Sequence, residues 1–172
     1  MINKKLEQAI NEQIKWELFS SYLYMSMASY FDSINLKGSA HWMKVQAQEE
    51  LTHALRFYNY VVSRGGRVRT LPIDGPDTDW DSPLAAFSYG YEHETVVTKR
   101  INDLMNLSMS ESDHATTNFL QWFVAEQVEE EANFDEVVQK LKMVGNQGNG
   151  LFMIDSELGA RVFTMPADMP QV

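Results

Sequence analysis

Apolar residues recur along this chain at alternating steps of three and four, the period of a helix with one buried face. Four long segments carry the pattern. The first, about residues 4–33, aligns Leu6, Ile10, Ile14, Tyr24, Ala28 and Phe31 in one stripe. The second, about 39–64, aligns Ala40, Met43, Ala47, Ala54, Phe57 and Val61. The third, about 82–109, aligns Phe87, Tyr91, Val97, Ile101 and Leu104, and the fourth, about 111–144, aligns Leu120, Phe123, Phe134, Val137 and Leu141. A shorter fifth helix near 150–158 places Leu151, Ile154 and Leu158 on one side. Ser39 is the expected N-cap of the second helix and Gly65 its expected stop, while Pro83 suits the first position of the third.

Four amphipathic helices of similar length predict an all-α four-helix bundle, a single domain over residues 1–172. The connections after the first and third helices are short. The middle one, GGRVRTLPIDGPDTDWD from Gly65 to Asp81, is long. Extended, roughly 17 residues span about 55 Å, against about 39 Å for a helix of about 26 residues. That reach permits a crossover along the whole bundle, with the second and third helices parallel, but does not require it. The tail from Thr164 contains proline and is expected to be irregular.

Each stripe is interrupted near its middle by a polar residue: Glu17 in the first, Glu50 with His53 in the second, Glu94 in the third, Gln127 with Glu130 in the fourth. Middle positions share a height whichever way each helix runs, so the interruptions are expected to meet at one spot in the core. An unpaired buried carboxylate costs on the order of several kcal/mol, and no lysine or arginine stands on the stripes at that level. Two divalent cations would balance the four glutamates. A neutral His53 and the Gln127 oxygen complete a donor set that favours iron or manganese over calcium or magnesium. A lone Glu-x-x-His is weak, and a glutamate within a stripe often lies at its edge with the head in water. The weight rests on four interruptions at matched depth.

Composition removes other chemistries. The 172 residues carry a formal net charge of -10, which disfavours nucleic acid and anionic membranes. No cysteine is present, which excludes thiolate metal sites and disulfides. The N-terminus, MINKKLEQAINEQ, has no apolar run of leader length, and no stretch approaches eighteen apolar residues. The expectation is a cytoplasmic protein.

The segments NEQIKWELFSSYLYMSMASYF, AQEELTHALRFYNYVVSRGG, YEHETVVTKRINDL and WFVAEQVEEEANF, one from each long helix, together resemble those of the bacterial non-haem ferritins. The likeness runs over roughly residues 3–158. It implies an iron-storage cage of 24 subunits with ferroxidase activity, whose partners are Fe(II) and O2 or H2O2. By resemblance, Glu17, Glu50 and His53 bind one iron of a di-iron centre, and Glu94 and Glu130 bind the second, with Glu50 bridging. Gln127 resembles the nearby glutamine and Tyr24 the tyrosine beside the centre; Trp122 resembles an adjacent aromatic. Glu49, Glu126 and Glu129 resemble a third iron site facing the storage cavity.

Two departures refine the subclass. The haem-binding relatives carry methionine directly after the glutamate of the second-helix Glu-x-x-His, where this chain has Leu51, so no haem is expected. Animal ferritins line their threefold channels with acidic residues at positions that here are Thr117 and Leu120. A carboxylate-bridged peroxide reductase without storage, and a metal-free helical interaction protein, stand as the competing readings. Trp42, Trp80, Tyr89 and the fifth helix are candidates for subunit contacts, against packing within one chain. His41, His93 and His114 are expected at the surface.

Overall fold

The computed structural model describes residues 1–145 and 147–165. They form five helices, α1 (Lys4–Ser33), α2 (Lys37–Ser63), α3 (Pro83–Ser110), α4 (His114–Val144) and α5 (Gly148–Leu158), and no strand among the described residues. Local chemistry sets most ends. The side chains of Asn3, Ser82 and Asp113 accept from the backbone N–H groups of Lys5, Ala85 and Thr116, satisfying donors that have no partner inside the helix. At the end of α2, Gly65 adopts φ +71° and donates to Val62 O, while Gly66 donates to Val61 O. That paired closure suits glycine because a left-handed residue clashes through its Cβ.

Three expected boundaries shift. Helix α4 starts at His114 rather than 111, because Glu111 ends α3, Ser112 turns the chain at φ +54° and Asp113 caps. Helix α5 starts at Gly148, two residues early. Helix α2 starts at Lys37, and its N-cap Leu36 makes no side-chain bond. Ser39 is therefore inside the first turn, and the cap comes from another helix. The Asp155 carboxylate of α5 accepts from Gly38 N at 3.0 Å, Ser39 N at 2.7 Å and Ser39 Oγ at 2.8 Å. A carboxylate at a helix N-terminus satisfies both the orphan donors and the dipole. A Cβ on Gly38 would lie 1.6 Å from the Asp155 carbonyl oxygen, so only glycine allows this approach. The proline-containing tail expected to be irregular is described only at Thr164 and Met165, which have no regular structure; the rest lies outside the described residues.

The long connection is a crossover. Asn11 on α1 donates to Arg67 O at 3.2 Å and accepts from Arg69 N at 2.6 Å. Further along α1, Ser26 Oγ donates to Asp77 O, and Trp80 meets Tyr30 at a ring separation of 5.4 Å. The loop thus follows α1 from near its start to near its end. Helices α2 and α3 run parallel, as do α1 and α4. At one end, Ile2 N donates to Arg64 O, Asn3 to Glu111, and Arg64 pairs with Asp113 at 2.9 Å.

The core lies in two apolar clusters. One gathers Leu23, Met27, Phe31, Trp42, Met43, Phe87, Phe134, Ile154 and Leu158 at the α5 end. The other gathers Leu6, Ile10, Ile14, Phe57, Val61, Ile101, Leu120 and Phe123 at the opposite end. Burying each such side chain contributes about 1.5–3 kcal/mol. Gly90 leaves room for Phe134, whose ring a Cβ would meet at 2.3 Å. Trp42, Ile154 and Leu158 are buried in the first cluster, with Trp80 and Tyr89 packed against it, so these residues serve the chain's own packing.

Candidate metal centre

Between the two clusters lies a polar layer. Glu17, Glu50, His53, Glu94, Gln127 and Glu130 are all buried, as is Tyr24. Each sits near the middle of its helix, held there by the apolar residues one or two turns away on either side. Their ligand atoms converge. One oxygen each of Glu17 and Glu50 and a His53 ring nitrogen lie within 4.8 Å of one another, and so do oxygens of Glu50, Glu94 and Glu130. Glu50 belongs to both groups. His53 Nδ1 is 3.5 Å from Glu50 Oε2 and 3.9 Å from Glu17 Oε2.

The surrounding amides orient the carboxylates. Gln13 donates to Glu17 at 2.8 Å. Gln46 donates to Glu130 at 2.5 Å and to Glu50 at 3.3 Å. Gln127 donates to Glu94 Oε2 at 3.1 Å, and the Tyr24 hydroxyl donates to Glu94 Oε1. Two arginines stand one amide away: Arg100 donates to Gln13 at 3.2 Å and Arg161 to Gln46 at 2.6 Å.

Electrostatics fit a cation site. Burial first, and the Glu50 charge second, push the Glu17 carboxyl up to about 8. Burial likewise raises Glu50, Glu94 and Glu130, with neighbouring carboxylates adding to it at Glu50 and Glu130. Burial also raises Tyr24, and the Glu94 charge adds to it. Without positive charge this layer therefore keeps protons that carboxyls ordinarily lose by neutral pH. Oxygen-rich donors with one imidazole, two of the groups sharing Glu50, suit a pair of transition-metal ions bridged by a carboxylate.

The remaining predicted residues are less gathered. Glu126 Oε1 is 3.8 Å from His53 Nε2, and an oxygen of Glu126 groups with His53 and Glu130. Glu49 is half-buried and pairs with Arg161. Glu129 is exposed and belongs to no such group among the described residues. Trp122 meets His53 edge-on at 5.4 Å and carries the Arg56 guanidinium over its ring at 4.1 Å. Thr117 bonds Ser108 at 2.8 Å and Leu120 is core. His41 and His114 are exposed as expected, but His93 is not. It is buried against Trp16, Phe19 and Tyr24, with Nε2 2.7 Å from Ser20 Oγ, and burial lowers its pKa to about 4.

Gln13, Gln46, Asp155 and Arg161 were not anticipated. Gln13 and Gln46 stand four residues before Glu17 and Glu50, a spacing that places side chains together on a helix, and that signal was available. For Asp155 and Arg161 no spacing gives the contact, which depends on how α5 docks.

A parallel-and-antiparallel four-helix bundle with a glutamate shared by two donor groups and a Glu-x-x-His at mid-height defines the class of carboxylate-lined metal-binding bundles. Residues 7–144 match the family described as Ferritin-like domain. The chain is 47% identical over 161 residues to a bacterial non-heme ferritin of Bacteroides fragilis, covering 94% of this chain and 100% of that one. It is 37% identical to one of Escherichia coli, covering 92% and 96%. Among solved structures, an engineered closed form of the Archaeoglobus fulgidus ferritin superposes with a TM-score of 0.94 at 54% identity, covering 95% of this chain and 100% of that one. This chain belongs to the ferritin family.

Proposed function

We propose that this protein is an iron-storing ferroxidase whose substrate, Fe(II), is bound in pairs by Glu17, Glu50, His53, Glu94 and Glu130. The observation that carries the reading is the convergence of two donor groups on the shared, buried Glu50. Two Fe(II) give up one electron each. O2 with two electrons and two protons becomes H2O2, or H2O2 with two electrons and two protons becomes two waters. The four glutamates hold the pair and tolerate its gain of charge. Gln13, Gln46 and Gln127 fix carboxylate orientation, and Tyr24 steadies Glu94 through its hydroxyl. His53 binds as neutral imidazole, so protons compete with iron at acidic pH. Glu49, Glu126 and Glu129 are proposed to form a third station, in which Glu126 stands beside His53.

Storage requires an enclosed space, which we assign to a 24-subunit shell, with the single ferritin-like domain of residues 1–172 as its unit. Exposed apolar residues on the outer faces of α1 and α2, Tyr22, Met25, Leu51, Tyr58 and Val62, support assembly, since they are left uncovered by the chain itself. No helix among the described residues is long and apolar enough to cross a membrane, and a cytoplasmic location is proposed. With Leu51 after Glu50, no haem site is proposed.

Anaerobic Fe(II) titration followed by oxygen-electrode measurement tests the chemistry, and particle mass in solution tests the cage. The expected outcome is two tightly bound Fe(II) per chain, rapid oxygen uptake and a particle of about twenty-four subunits. A dimer that turns over peroxide but retains no mineral would instead support the reductase reading. A chain that binds no Fe(II) would leave only a structural role.

A further inference from the structure

The segment after α5 returns to the metal centre. Asp155 caps α2 at Gly38 and Ser39, which fixes α5 against the start of α2. His41 donates from Nε2 to the Arg161 carbonyl oxygen at 2.8 Å, pinning the backbone that follows. The Arg161 side chain then lies along α2. Its guanidinium sits 4.3 Å over the Trp42 ring, donates from Nη1 to Gln46 Oε1 at 2.6 Å and from Nη2 to Glu49 Oε2. Both partners of the ion pair are mostly covered, at 18% and 22% side-chain exposure, so water screens it less than a surface pair.

Two consequences follow from that position. Arg161 holds Glu49, the carboxylate proposed for the third station. It also fixes which way the Gln46 amide faces: with Oε1 taken by the guanidinium, the amide N–H groups are left for Glu130 and Glu50. One cationic side chain thus touches the proposed third station directly and the paired centre through a single amide.

Building on the iron-handling reading above, we propose that Arg161 is a tethered counter-ion that occupies Glu49 and must be displaced by iron leaving or reaching the paired centre, so that this side chain gates the third station. An arginine fork is suited to this because it spans an amide oxygen and a carboxylate at once, which a lysine point charge does not. A metal ion at Glu49 and Glu126 would face a cation within bonding distance of one of its ligands, and the arginine would have to swing away.

Calorimetric titration of the assembled protein with anaerobic Fe(II) tests this on Arg161→Gln, Arg161→Lys, Glu49→Gln and the double variant Arg161→Gln with Glu49→Gln. In Arg161→Gln the third equivalent should bind about fivefold more tightly, the effect of removing one partly screened competing pair, while the first two equivalents weaken by less than that as the Gln46 amide loses one of its partners. The double variant should show no such gain, because Glu49 is the ligand released. Arg161→Lys should shift the third equivalent in the same direction by less, and it decides the matter if Arg161→Gln does not fold. An unchanged or weakened third equivalent in the folded variants overturns the gate. Loss of the first two equivalents without any gain at the third also overturns it and leaves Arg161 with the positioning of Gln46 alone. A wild-type protein that takes up no Fe(II) and consumes no oxygen overturns the reading of the centre itself, an outcome distinct from the others.

Discussion

The middle of this bundle and its two ends are built from the same four helices with opposite chemistry. At the ends, Phe31, Phe87 and Trp42 on one side and Phe57, Phe123 and Ile101 on the other fill the space between helices with apolar groups. Ring pairs there are close, with Phe57 and Phe123 stacked at 4.0 Å. In the middle, four carboxyls, an imidazole and an amide occupy the equivalent inward positions. Burial is equally complete in both regions. What differs is the sign of its effect: burying apolar area stabilises, whereas burying acids without positive charge destabilises. The ends hold the fold in place, and that surplus lets the middle be arranged for binding cations.

The comparison breaks most plainly if a ligand matters to the fold or an end matters to the chemistry. Glu50→Ala or His53→Ala should slow rapid Fe(II) oxidation by at least about a hundredfold, since even outer partners of metal ligands matter up to that much. The melting temperature of the metal-free variants should not fall. Stopped-flow oxidation and calorimetric melting check the two halves, and unchanged early kinetics in both variants would remove Glu50 and His53 from the centre.

The mirror experiment addresses the ends. Phe31 is fully buried and lies against Tyr30 and Phe87 at ring separations of 5.3 and 5.2 Å. Phe31→Ala should cost about 3–5 kcal/mol of stability, from lost burial and the cavity left behind, read by denaturant unfolding. The oxidation rate of the folded variant should be unchanged. A marked loss of oxidation without loss of stability would mean the clusters and the layer are not separable.

How far these regions were legible in the sequence follows from the same contrast. The stripes of α1 to α4 and the inward acids were readable because both depend on helical spacing within one segment. Glu50 and His53 share a face by their three-residue separation, and every mid-stripe glutamate proved buried. The crossover was readable as a reach but not as a route; Asn11 and Ser26 holding the loop along α1 supply the route. The cap of α2 was misplaced because Ser39 has the right chemistry and the wrong position, and Asp155, 116 residues away, takes that role. His93 was expected outside because a lone histidine on a helix carries no burial signal. It is accommodated neutral, against aromatic rings and Ser20.

The finest test of the contrast uses protons in place of mutations. In the metal-free protein the Glu17 carboxyl is raised from 4.5 to about 8, chiefly by burial. Its neutral form is therefore favoured on folding. The resulting stability is fully present below the ordinary value, is lost progressively as pH rises, and is gone once pH passes about 8. Glu50, Glu94 and Glu130 shift in the same direction and steepen the decline. His93 acts oppositely: lowered to about 4, it favours the folded state above 6.5 and loses that contribution as pH falls toward about 4. The metal-free melting temperature should thus fall as pH rises from about 6.5 to about 8, a window in which His93 is neutral in the folded state and increasingly so in the unfolded one. Glu17→Gln, which cannot ionise, should flatten part of that fall. Saturating Zn(II), a redox-inert probe, should reverse it, because each bound cation replaces protons and holds the ionised layer together. A metal-free melting temperature that stays level across this window would mean that the middle layer is not the strained counterpart of the two ends.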